Sequence, residues 1–131
     1  MEQVRTYLEL LMRTEDRPTP FEAGQVIFEE GQPGNEMYVV QSGSVELRAG
    51  GQVLETVGEG GILGEMALVD REPRSATAVA ASDCRLVPID EQHFGLLVQR
   101  VPGFALEVMR VMAQRIRKAN PRPVTPTGAS C

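Results

Sequence analysis

Gly60-Gly61-Ile62-Leu63-Gly64-Glu65-Met66-Ala67-Leu68-Val69-Asp70-Arg71-Glu72-Pro73-Arg74-Ser75-Ala76-Thr77-Ala78-Val79 decides how the rest of the chain is read. Its three glycines let backbone approach a ligand closely, and Glu65-Met66-Ala67-Leu68 are good helix formers that start a short helix after Gly64. A helix start leaves backbone N–H groups without intrahelical acceptors. Those groups, with the positive end of the helix dipole, favour phosphate. Arg74 adds a planar fork of donors suited to phosphate oxygens, and Ser75 adds a hydroxyl. Glu65, when ionised, only accepts hydrogen bonds and cannot hold an anion, so its natural partner is a hydroxyl such as those of a ribose. Phosphate and sugar together point to a nucleotide.

Gly64-Glu65-Met66-Ala67-Leu68, a short spacer, then Pro73-Arg74-Ser75-Ala76-Thr77 resembles the phosphate-binding cassette of the cyclic nucleotide-binding domain family. The similarity extends upstream through Phe21 to Gly31, Met37-Tyr38-Val39-Val40 and Ser42-Gly43-Ser44-Val45-Glu46-Leu47. Downstream it takes in Phe94-Gly95-Leu96-Leu97 and Pro102 with the helix that follows, so it spans Phe21 to Lys118. The resemblance implies that Glu65 binds the ribose 2'-hydroxyl and Arg74 the cyclic phosphate. The backbone at Gly64, Met66, Ala67, Ser75 and Ala76 completes the cradle, with Leu63 beside it where many members have phenylalanine. The implied ligand is cAMP ahead of cGMP, with no metal. The structural alternative is a Glu65–Arg74 ion pair in a fold that has lost its ligand.

With 131 residues the chain is long enough for one domain that buries roughly two-thirds of its unfolded surface. A hydrophobic fraction of 42% and a charged fraction of 24% are those of a globular protein. No apolar run approaches the roughly 20 residues of a membrane span, and Met1-Glu2-Gln3-Val4-Arg5 lacks the form of a signal peptide, so a cytoplasmic location is expected. Cys84 and Cys131 have neither metal-ligand spacing nor a disulfide framework, and Cys84 is expected to be a buried small hydrophobe. The net charge of -5 is unevenly spread: residues 1–99 carry seven basic against seventeen acidic groups, and residues 100–131 six against one. The balance disfavours general nucleic-acid binding, and the basic groups are expected on a solvated helix face and tail.

Along the chain, Val4, Tyr7, Leu8, Leu11 and Met12 have helical spacing, and Arg17-Pro18-Thr19-Pro20 stops that helix, so residues 1–20 read as helix and linker. From Phe21 to Asp90 short β-type runs alternate with glycine-bearing turns. They are Val26 to Phe28, Met37 to Gln41, Ser44 to Arg48, Gln52 to Val57, Ala76 to Ala80 and Cys84 to Ile89, a pattern of an antiparallel β roll or jelly roll. Ala49-Gly50-Gly51-Gln52 reads as a hairpin turn. Asp90 caps a helix over Glu91 to Gln99, and Pro102 opens a longer one from Gly103 to about Ala119. In that helix Ala105, Val108, Met109, Met112 and Ile116 form an apolar stripe that Phe104, Val111 and Ala113 widen. Met109 and Met112 are expected as core fillers. One side packs on the β roll and the other is available to a protein partner or an identical helix in a dimer. Asn120-Pro121-Arg122-Pro123 ends the helix, and Val124 to Cys131 reads as a disordered tail.

The expected class is therefore α+β: a β roll flanked by N- and C-terminal helices, with a short helix in the cassette. No His-Glu-x-x-His, Gly-x-Ser-x-Gly or Gly-Lys-Ser/Thr pattern occurs, and the one histidine, His93, has no nucleophile near it in sequence, so no enzyme is expected. The glycines of Gly58 to Gly64 do not match a dinucleotide fingerprint. The reading is a cyclic nucleotide sensor acting through its C-terminal helix. The rival is an interaction module that kept the fold; a DNA-binding regulator is disfavoured because little sequence follows Ala119 to form a recognition helix. In family members the base is held in part by a residue beyond the position of Ala119, so modest discrimination between adenine and guanine is expected.

Overall fold

The computed structural model describes residues 18–119. The helix expected over Glu2 to Arg13 and the tail from Val124 to Cys131 lie outside the described residues.

Eight strands form two four-stranded antiparallel sheets: β1 (Thr19–Phe21), β2 (Val26–Phe28), β3 (Glu36–Ser42), β4 (Val45–Ala49), β5 (Gln52–Val57), β6 (Ile62–Leu63), β7 (Thr77–Ala80) and β8 (Cys84–Asp90). The first sheet has the order β1-β8-β3-β6 and the second β2-β7-β4-β5. This is the expected antiparallel roll. The β4–β5 hairpin turns at Gly50 and Gly51, both at positive φ (58° and 77°), the conformation of a tight two-residue turn. Two strands were hidden from the sequence reading. β1 carries Pro20 but lies at a sheet edge, where a missing N–H is tolerated, and β6 is two residues inside the glycine-rich stretch.

Strand alternation builds two cores. Val40, Cys84 and Leu86 face the second sheet and meet Val45, Leu47, Val57, Ala78 and Ala80 between the layers. Met37, Val39, Val87 and Ile89 point the other way, to the helices. Strands β3 and β8 are therefore covered on both faces, which is why they read as nearly continuous apolar runs. Cys84 is 3% exposed, the small buried hydrophobe expected, and burial pushes its thiol pKa up.

Among the described residues three helices accompany the sheets: α1 (Glu65–Asp70), α2 (Glu91–Arg100) and α3 (Gly103–Ala119). The Asp90 carboxylate caps α2 by accepting from the His93 backbone N–H at 2.8 Å, and the His93 side chain is half-buried. In α3 the buried residues are Phe104, Val108 and Val111, with Met112 packed against them. The buried side is therefore narrower than the expected stripe: Met109 and Ile116 are exposed, so Met109 is not a core filler. Phe104 is fully buried and sits 5.7 Å from Phe94 of α2, ring centre to ring centre.

Candidate functional site

The quoted stretch is the crossover between the layers: β6 belongs to the first sheet, β7 to the second, and α1 lies between them. Gly64 precedes α1 at φ 77° and, being a glycine, supplies no side-chain cap to the first backbone N–H groups of the helix. A cavity of about 580 Å³ opens beside it, within the roughly 300–1,000 Å³ usual for small-ligand sites. Gly64, Glu65, Met66, Ala67, Arg74, Ser75 and Ala76 all line it, so seven of the eight sequence-predicted residues come together. Leu63 is the exception: alternation along β6 turns its side chain into the core between the sheets, where it is fully buried and does not line the cavity.

Arg74 is 6% exposed. Its Nη1 donates to the backbone carbonyls of Glu36 (2.9 Å) and Gly64 (3.2 Å), and its guanidinium carbon lies 4.1 Å from the ring centre of Phe28. Nε is buried and, among the described residues, has no hydrogen-bond partner. Burial lowers the Arg74 pKa, while the charges of Tyr38, Glu36 and Glu65 work against that shift. The Tyr38 hydroxyl donates to Glu36 Oε1 at 2.8 Å, and burial first, then that bond, raises its pKa to about 12. The backbone of Arg74 is clamped as well, its N–H donating to Gln32 O and its carbonyl accepting from the Gly31 N–H, both at 2.8 Å. The close approach of Gly34 leaves room for this side chain: a Cβ there would stand 2.2 Å from Arg74 Nε.

Glu65 and Arg74 do not form the ion pair of the structural alternative. Glu65, 2% exposed, instead accepts from Nη1 of Arg115, one of the α3 residues at the cavity wall. Burial raises the Glu65 pKa above its ordinary 4.5, against the opposing pull of the Arg115 charge. Arg115 also donates from Nε and Nη2 to the two oxygens of Glu55 on β5 (2.9 and 3.1 Å) and from Nη2 to Ile62 O (2.8 Å). Burial lowers the Arg115 pKa, but the hydrogen bond to Glu55 and the charges of both carboxylates outweigh it, for a net rise. Sequence reasoning missed Arg115 and Glu55. The available signal was periodicity: Arg115 falls four residues after Val111 on the stripe of Phe104, Val108 and Val111, where the helix turns its apolar side inward.

The last turn of α3 forms one wall, with Ile116, Lys118 and Ala119 beside Arg115, so part of the cover over the cavity comes from this helix. The arrangement offers a buried cation with no carboxylate ion pair among the described residues on one side and a buried hydroxyl acceptor on the other.

The model of the cyclic nucleotide-binding domain family matches residues 18–101. The chain belongs to that family. It is 37% identical over 102 residues to the cyclic AMP receptor protein of Thermus thermophilus, a match covering 74% of this chain and 47% of that protein. The chain thus spans about half the length of this relative. The crystal structure of Thermus thermophilus catabolite activator protein superposes with a TM-score of 0.73 at 32% identity, over 88% of this chain and 56% of that one. A structure described with a cyclic-GMP-dependent signalling pathway that regulates bacterial phytopathogenesis superposes with a TM-score of 0.68 at 29% identity, over 83% and 91% of the two chains.

Proposed function

We propose that this member of the family is a non-enzymatic sensor that binds a cyclic nucleotide in the 580 Å³ cavity, cAMP in preference to cGMP. The observation that carries the reading is Arg74: a buried guanidinium held by carbonyls and an aromatic face, with an orphaned Nε and, among the described residues, no carboxylate ion pair. A charge in that state is costly unless an anion completes it. A cyclic phosphate does so, Glu65 accepts from the ribose 2'-hydroxyl, and backbone N–H groups of Met66 and Ala67 at the start of α1 add to the cradle. Ser75 and Ala76 close it from the β7 side. The preference for cAMP follows the more identical relative, whose name specifies cyclic AMP.

Sensing is a population shift. Ligand on the cassette favours the arrangement of α3 in which its last turn is drawn over the cavity, and the effect is limited to the difference in affinity between the two arrangements. The exposed side of α3, with Leu106 and Met109, is where a protein partner or a second copy reads the movement, and the setting we propose is cytoplasmic. Thermal unfolding with cAMP, cGMP and linear AMP tests the assignment. At a ligand concentration about 100 times Kd the fold gains about 2.7 kcal/mol, so cAMP and cGMP raise Tm by several degrees and AMP by less. Equal shifts for all three, or none, would remove the cyclic phosphate from the account.

A further inference from the structure

Arg115 lies beyond the 18–101 span that the family model matches, and its environment is built from three elements. The Glu55 carboxylate on β5 takes two of its donors, Glu65 on α1 takes one, and the Ile62 carbonyl on β6 accepts a further bond. The guanidinium side chain is 16% exposed, Glu55 30% and Glu65 2%, so the network runs from the protein surface into the cavity. One cation is therefore shared between two carboxylates, and the bidentate half of the arrangement belongs to Glu55.

We propose that Glu55 is a positioning residue that, through its bidentate hold on Arg115, keeps the end of α3 docked as a lid over the nucleotide. The proposal rests on the reading of the cavity as a cyclic nucleotide site. Glu65 Oε1 accepts from Arg115, which leaves Oε2 for a ribose hydroxyl. A hydroxyl on that carboxylate draws on the same negative charge and weakens its grip on the guanidinium. If Glu65 were the sole anchor, sugar binding would loosen the helix. Glu55 removes that conflict, because its two parallel contacts do not involve the ligand, and planar fork-to-carboxylate geometry is the form of ion pair that holds a fixed orientation. Exposed pairs contribute little, but this one is mostly buried on the arginine side and is part of a network. Ile116, Lys118 and Ala119 are carried on the same turn, so fixing Arg115 fixes that wall of the cavity.

Stopped-flow kinetics with a fluorescent cAMP analogue, together with hydrogen exchange over residues 111–119 of the ligand-free protein, test this in wild type, Glu55→Gln and Glu55→Asp. Loss of two charge-assisted contacts predicts dissociation faster by about tenfold or more in Glu55→Gln, association little changed, and faster exchange at the end of α3. Glu55→Asp, which keeps the charge, recovers part of both. A single cooperative melting transition in Glu55→Gln, lowered by no more than a few degrees, verifies that the fold is intact; β5 is an edge strand and Glu55 is partly exposed, so the substitution leaves the core alone. Wild type binding normally, with Glu55→Gln indistinguishable from it in dissociation and exchange, overturns the lid while leaving the nucleotide reading in place. A wild-type chain that binds neither cAMP nor cGMP overturns the nucleotide reading, and the lid with it.

Discussion

Arg74 and Arg115 reach the same cavity and are stabilised by opposite means. Arg115 is neutralised by two carboxylates, whereas Arg74 is surrounded by carbonyl dipoles and an aromatic face, so its charge is left for something else. The position of that charge depends on Gly34, where a methyl group would overlap the guanidinium at 2.2 to 2.7 Å. Gly34→Ala is therefore expected to lower cyclic nucleotide affinity by about tenfold or more while changing unfolding stability by less than about 1 kcal/mol, since the methyl displaces a side chain and not backbone. Unaltered affinity in a titration of this variant would show that the observed pose of Arg74 is not the binding pose. Glu65 gives a pH test. Its folded pKa is raised, so the folded state binds a proton more readily than the unfolded one, and ionised Glu65 opposes folding. Relative to Glu65→Gln, wild type should lose stability as pH rises from the ordinary value of 4.5 through the raised one, with no ionisation difference below it. Urea unfolding of both proteins from acid to neutral pH reads this directly; a gap that moves in wild type's favour with rising pH has the wrong sign.

The element that joins fold to site is α3. Phe104, Val108 and Val111 attach it to the first sheet and α2, and Arg115 continues the same stripe into the cavity. Phe104→Ala removes the largest fully buried side chain among the described residues and is expected to cost about 3–5 kcal/mol, with weaker nucleotide binding because Arg115 shifts with the helix. A loss under about 1 kcal/mol in denaturant unfolding would mean that α3 is not docked as described. Most elements were legible because their signals are local. Short β-type runs between glycine-bearing turns marked β3, β5 and β8, paired glycines marked the β4–β5 turn, and Asp90 marked the start of α2. What escaped depends on tertiary placement. Pro20 reads as a breaker until β1 is seen at an edge, Ile62-Leu63 is too short to carry a period, and Leu63 belongs to the motif but points into the core. The basic residues of α3 read as a solvated face, and nothing in their spacing pairs Arg115 with a glutamate sixty residues earlier.

At the scale of the molecule, the first sheet is packed between the second sheet and the helices, and the cassette crosses from one sheet to the other. The cavity is therefore lined by the second sheet on one side and by the end of α3 on another. That layout suits the proposed sensor, in which the cassette and second sheet would hold the anion and α3, attached through a few side chains, would give the response. The wall contributed by α3 includes Ile116, Lys118 and Ala119, few groups with which to read a base edge, so cAMP and cGMP affinities are expected to differ by less than about a hundredfold, 2.8 kcal/mol. Calorimetric titration of the wild-type chain and Arg74→Ala with cAMP and cGMP is the most direct measurement. The account predicts saturable binding of one nucleotide per chain, cAMP the tighter within that hundredfold, and loss of more than about a hundredfold in Arg74→Ala from two missing charge-assisted bonds. Binding that survives Arg74→Ala with less than about a tenfold change, or no heat from either nucleotide with the wild-type chain, would contradict it.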